Sequence, residues 1–204
     1  LAIQEIGHEN SAVRYWAVRA STNPELWSKI GQGQGSAAQL ATRILRASDQ
    51  VVDTSSPEVL LQMAQFAGRF DTEQAAGLLM HIAEARIRRY ADWSVRYELM
   101  DSAVLRLLCD KIVAGGNGSS DQLAKRFSQL YSFAMQRYIK GLNLGRLSEL
   151  SRNYLISVLI DTEEKCLTRL LGTPQTTIRR AIEAGDAMAL QTEHDRLFGT
   201  ESSA

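Results

Sequence analysis

The side chains able to do chemistry in this chain are three histidines, two cysteines, a short acidic cluster, a glycine-rich pentapeptide and two groups of arginines set among aromatic rings. His8, His81 and His194 lie far apart in sequence, and no His-Glu-x-x-His or comparable spacing occurs, so no metal site is expected. His8 is placed in an inter-helix turn, His81 on a helix flank and His194 near an exposed end. Cys109 and Cys166 form no Cys-x-x-Cys, and neither has a histidine or a basic helix start beside it to favour the thiolate. Both are expected to be buried, reduced, small hydrophobes, without a disulfide framework. The run Gly31-Gln32-Gly33-Gln34-Gly35 lacks the preceding strand and the glycine spacing of a dinucleotide loop, and the closing Lys-Ser or Lys-Thr of a P-loop. It reads as a flexible connection. Asp161, Glu163 and Glu164 could act as paired carboxylates. However, Asp161 is four residues from Lys165 and no histidine accompanies the cluster, which is the pattern of a solvated helix face. No catalytic residue, cofactor or metal is therefore assigned.

The arginines are different. Arg86, Arg88, Arg89 and Arg96 surround Tyr90 and Trp93 at a helix–turn–helix junction, and Arg14, Tyr15 and Arg19 form the equivalent group earlier in the chain. Arginine beside aromatic rings can grip a phosphate, a nucleic-acid backbone or an acidic partner. The competing reading is a solvated helix end, where arginine complements the helix dipole and Glu84 pairs with Arg88. These nine residues are the candidate partner-binding set.

The elements that must position them are helices. Each of the three prolines follows a good N-cap residue, as Asn23-Pro24, Ser56-Pro57 and Thr173-Pro174. Proline suits the first helical position, where its missing N–H costs nothing. Helices are predicted from Ser11 to Ala20 after Asn10, from Ala37 to Val51, from Glu58 to Phe70 and from Thr72 to about Tyr90 behind an Asp71–Gln74 capping box. Further helices are predicted from Trp93 to Val113, from Asp121 to Lys140 with Gly141 as C-cap, from Leu147 to Leu171, from Pro174 to Ala184 and from Asp186 to Phe198. Recurrence at three- and four-residue steps turns Val13, Trp16, Ala17 and Ala20 inward on the first of these, and Leu123, Phe127, Leu130, Ala134 and Tyr138 on the helix after Asp121. No segment alternates with period two for long enough to be a strand.

One internal similarity stands out. Asn10-Ser11-Ala12-Val13-Arg14-Tyr15 matches Asp92-Trp93-Ser94-Val95-Arg96-Tyr97, and Ser56-Pro57-Glu58-Val59 is a weaker copy with Leu60 in place of the arginine. This frame resembles the HEAT-repeat family over about residues 1–114. The resemblance implies an Asp or Asn cap, a valine in the core and an arginine that bridges to neighbouring elements. It implies an α-solenoid, in which stacked helix pairs bury one continuous apolar core. The expected fold is thus all-α. HEAT-like repeats over 1–114 would be followed by a long antiparallel helical hairpin and short closing helices over 121–198, with a frayed tail at 199–204. The glycine-rich Gly115–Ser120 segment separates the two parts, which are alternatively one continuous domain.

Function is bounded more weakly. The 204-residue chain is long enough to bury a core without staples, and its 45% hydrophobic content excludes a disordered chain. Lys plus Arg equals Asp plus Glu at 23 each, which disfavours broad nucleic-acid binding. No run reaches the roughly 18 apolar residues of a membrane span. The expectation is a non-catalytic, cytoplasmic scaffold that binds a protein partner as part of a larger chain or assembly. A homo-oligomer through Asp121–Leu171 is expected as well, from the broad apolar set Leu155, Ile156, Val158, Leu159 and Ile160. The alternative is a HEAT-like, nucleic-acid-associated protein gripping the phosphate backbone through an arginine-lined face.

Overall fold

The computed structural model describes residues 3–25, 27, 34–89, 98–114, 119–145, 159 and 176–199, and no strand occurs among them. Eight α-helices are described: α1 (Ser11–Ser21), α2 (Gln34–Asp49), α3 (Pro57–Ala67), α4 (Glu73–Arg89), α5 (Glu98–Ala114), α6 (Ser119–Asn143), α7 (Thr176–Ala184) and α8 (Ala187–Phe198). Two short 3₁₀ turns, Ile3–Gly7 and Val52–Thr54, precede α1 and α3. The chain divides into two compact units, Leu1–Arg89 and Tyr90–Ala204. The Gly115–Ser120 break, expected to separate two parts, falls inside the second.

In the first unit, α1 begins where Asn10 can cap it: the Asn10 side-chain oxygen accepts from the Ala12 N–H at 2.8 Å and the Val13 N–H at 3.4 Å. Pro57 opens α3 as the sequence indicates, although the Ser56 side chain makes no cap bond. The start of α4 differs. It begins at Glu73, so Thr72 takes the cap position and its Oγ1 accepts from the Ala75 N–H at 3.2 Å. Asp71 then falls one residue outside the expected capping box. α1 packs on α3, α2 and α3 pack on α4, and the Ile3–Gly7 turn covers α1 and α2. Between them lie Ile44 and Leu45 of α2, Val59, Leu60, Met63 and Phe66 of α3, and Leu78, Leu79 and Ile82 of α4, all buried.

The inward face of α1 is not the expected one. Arg14, Ala17, Val18 and Ser21 are buried, whereas Trp16 and Ala20 are exposed and Val13 is half-buried. Apolar periodicity alone would never turn an arginine inward. Here the guanidinium finds carbonyl partners, and the small Ala17 and Ser21 let neighbouring elements approach.

In the second unit α8 packs on α6, α7 on α8, and α5 against α6. Phe127, Leu130, Ala134 and Tyr138 of α6 are buried as expected, and Leu123 is half-buried. α6 starts at Ser119 and runs past Gly141 to Asn143. A mid-helix glycine costs only about 1 kcal/mol relative to alanine. The left-handed residue that ends this run is Gly145, at φ 58°, whose N–H donates to the Leu142 carbonyl at 3.1 Å. Gly185, at φ 65°, turns the chain from α7 into α8, which Asp186 caps. The expected helix over 147–171 lies outside the described residues apart from Leu159, which is buried. Leu155, Ile156, Val158 and Ile160 of the oligomer face lie outside them too.

The cysteine expectation is corrected. Cys109, buried on α5, is disulfide-bonded. The chain's other cysteine, Cys166, lies outside the described residues. Such a bond leaves no local signature in the sequence, because bonding depends on where the fold brings two Cα atoms. No helix among the described residues is long and apolar enough to cross a membrane.

Candidate partner-binding surface

The nine arginines and aromatics of the candidate set separate by burial. Arg14, only 7% exposed, is spent inside the first unit. Its Nη1 donates to the carbonyls of His8 at 2.7 Å and Glu9 at 3.2 Å, and its Nη2 donates to the Thr54 carbonyl at 2.6 Å. One side chain thereby ties α1 to the turn before it and to the Val52–Thr54 turn. Arg86 is also buried, at 5% exposed, on α4, whereas Arg88 beside it is exposed. The side chain of Arg89, and Tyr90, Trp93 and Arg96, lie outside the described residues.

Tyr15, Arg19 and Arg88 remain, and on α1 the structure adds to the first two a residue that periodicity turns inward. Trp16 is 61% exposed, the one large hydrophobic side chain of the first unit that is exposed among the described residues. Arg19 holds the group together. Its Nη1 donates to Tyr15 Oη at 3.0 Å, and its Cζ lies 5.5 Å from the Trp16 ring centroid and 6.0 Å from that of Tyr15. The two rings meet edge-on at 5.4 Å. The spacing i, i+1, i+4 puts all three on neighbouring positions of one helical turn. The end of α1 beneath them is fastened: Trp27 Nε1 donates to the Ser21 carbonyl at 2.7 Å, and Arg69 Nη1 to the Thr22 carbonyl at 3.4 Å. Trp27 itself packs against Phe66 and Phe70 with centroids 5.2 and 5.8 Å away.

The histidines do structural work. His8 sits in the exposed turn, its Nδ1 accepting from the Asn10 N–H at 3.0 Å. His81 on α4 is half-buried, with Nδ1 2.9 Å from Asp49 Oδ1 and Nε2 3.5 Å from Asp53 Oδ1. His194 is buried, at 5% exposed, and not at an exposed end as expected. Its Nε2 lies 2.8 Å from Ser132 Oγ and its Nδ1 3.3 Å from Asp195 Oδ1.

The Ser132–His194–Asp195 contacts have the order of a nucleophile–base–carboxylate triplet. Ser132, however, sits in the middle of α6, where backbone N–H groups are committed to the helix and none remains for an oxyanion. The triplet is a polar tie between α6 and α8. Hydrogen bonds from His194 and then Gln191 hold the Asp195 carboxyl below its usual range. Because the folded value lies below the unfolded one, this contribution is present above the ordinary aspartate range and is lost as pH falls through the folded value. Ser132→Ala, which leaves the buried Nε2 without its hydroxyl, is expected to cost about 1–2 kcal/mol in urea unfolding. No change in the midpoint would show that water replaces it.

No group of three His, Cys, Asp or Glu side chains that could hold a metal ion occurs among the described residues. Asp161, Glu163 and Glu164 lie outside them, as do Gly31 and Gly33, while Gly35 is in the first turn of α2. No family model matches this chain, and no curated protein or solved structure matches it either.

Proposed function

We propose that this chain is a non-catalytic helical interaction module that binds a protein partner through the Tyr15–Trp16–Arg19 face of α1, as part of a larger chain or assembly. The observation that carries this reading is the exposed Trp16, pre-arranged with Arg19 and Tyr15 on a fastened helix. Tryptophan, tyrosine and arginine are the residue types that dominate binding hot spots. Covering the exposed part of a tryptophan is worth about 2–4 kcal/mol at 25 cal/mol per Å². The pairwise packing of α1 on α3 and of α3 on α4 is compatible with a solenoid-like stack of the HEAT kind. Self-association through residues 121–171 is a separate part of the proposal, tested by light scattering at high concentration.

The nucleic-acid alternative loses support. It requires Arg14 and Arg86 to face phosphate, and both are buried. The compartment is reconsidered as well: a disulfide at Cys109 favours oxidising surroundings over the cytoplasmic setting expected from the sequence.

The test is affinity capture with the full chain from a lysate of its source, beside Trp16→Ala. A stoichiometric, nuclease-resistant protein retained by the wild type and weakened at least tenfold by Trp16→Ala is expected. Retention unchanged in Trp16→Ala would remove this face from consideration. Nuclease-sensitive material would return the phosphate-gripping alternative.

A further inference from the structure

We infer that the segment recognised by this face is an acidic one: a stretch of a partner protein that presents an Asp or Glu carboxylate next to an aliphatic or aromatic side chain. The inference rests on the reading of α1 as a binding face and names the chemistry of its partner. It starts from the donors of Arg19. A guanidinium carries five N–H donors in a planar fork. Arg19 gives one of them to Tyr15 Oη and meets no carboxylate among the described residues. Its exposed fork is therefore a cation without a counter-charge, held in place by two aromatic rings. The group whose geometry matches that fork is a carboxylate taken through two parallel hydrogen bonds.

Trp16 supplies the other half of the specificity. Its ring lies beside the fork and remains 61% exposed, so a ligand that pairs with Arg19 meets an apolar surface at the same time. Excluding water with that apolar neighbour strengthens the ion pair, since charge–charge attraction rises as the local dielectric falls. A lone acid would gain the charge contact alone, and a lone apolar residue would leave the guanidinium under cover without a partner, which costs free energy. The two features are rewarded together.

The charge count favours a carboxylate over a phosphate. The charged residues of α1 are Arg14 and Arg19, and Arg14 is consumed by three backbone carbonyls. α1 thus offers one free positive charge, which balances one carboxylate. Phosphate groups are typically held by clusters of arginines.

The experiment is selection of a displayed random-peptide library on the full chain, followed by fluorescence anisotropy with the synthetic peptides obtained. Enriched peptides are expected to share an Asp or Glu within two residues of an aliphatic or aromatic side chain. Arg19→Gln is expected to weaken such a peptide roughly tenfold or more, and Arg19→Lys to weaken it less. Replacing the peptide's acid by its amide should weaken wild type as strongly, yet add little to Arg19→Gln, which a structural role for Arg19 would not produce. Arg19 is exposed, so both variants should melt like the wild type; a lowered melting point would assign it to the fold and overturn the inference. Peptides that depend on Trp16 but carry no acid, or that bind Arg19→Gln unchanged, would overturn the acidic class and leave the face standing. An absence of any peptide lost in Trp16→Ala would overturn both.

Discussion

Reduction of the Cys109 disulfide should lower the stability of the unit Tyr90–Ala204 by about 2–4 kcal/mol, read as a fall in melting temperature of about 10 °C. A disulfide acts chiefly by removing conformations from the unfolded chain, so the loss is large even where no native contact changes. Two features place the effect at the upper part of that range. Cys109 is buried on the α5 face that also carries Val104, Leu105, Leu108 and Ile112, so the bond is anchored within a packed core. The only other cysteine in the sequence is Cys166, so an intrachain bond closes a long loop. Peptide mapping without reduction should recover Cys109 joined to Cys166. Cys109→Ala should reproduce the loss and make the protein insensitive to reductant. Two titratable thiols in the denatured, unreduced protein, with a melting curve indifferent to reductant, would show that the bond is not formed.

How much of this could be read from the residues alone depends on the range of the interaction involved. The core faces of α3 and α4 were legible because Val59, Leu60, Met63 and Ala64, and Ala75, Leu78, Leu79 and Ile82, are apolar at clean helical steps, and all are buried. Local caps were legible where the capping residue is short and polar, as at Asn10. The misses share a cause: a partner distant in the chain altered what a side chain does. His194 was placed outside because histidine near a terminus is usually solvated, yet Ser132 of α6 meets it from another helix. Cys109 reads as a free thiol because its bond has no local pattern. Gly141 reads as a helix end because glycine weakens helices, but the packed α6 carries it. The same blindness governed the site. Arg14 and Arg19 occur in one helix, five residues apart and equally plausible as binding residues. Only the positions of the Thr54 carbonyl and of the Trp16 ring separate the structural arginine from the available one.

That separation has a measurable consequence. Arg14→Leu should destabilise the unit Leu1–Arg89 by about 2–4 kcal/mol in urea unfolding, whereas Arg19→Ala should stay within about 0.5 kcal/mol of the wild type. The leucine keeps much of the buried hydrocarbon but removes three hydrogen bonds from a charged donor to the carbonyls of His8, Glu9 and Thr54, and a hydrogen bond to a charged group contributes about 1.5–3 kcal/mol before the part-exposure of these carbonyls reduces it. Arg14→Lys should recover part of the loss, because a single ammonium cannot span carbonyls on two sides as the planar fork does. Replacing a buried charge with an apolar side chain is neutral only where its desolvation cost equals its contacts. The number of carbonyls decides the sign here: three acceptors on two separate segments lose their donor at once. Arg14→Leu with wild-type stability would show that water reaches those carbonyls. It would also return Arg14 to the set of arginines available to a partner, and with it the phosphate-gripping alternative that its burial now weakens.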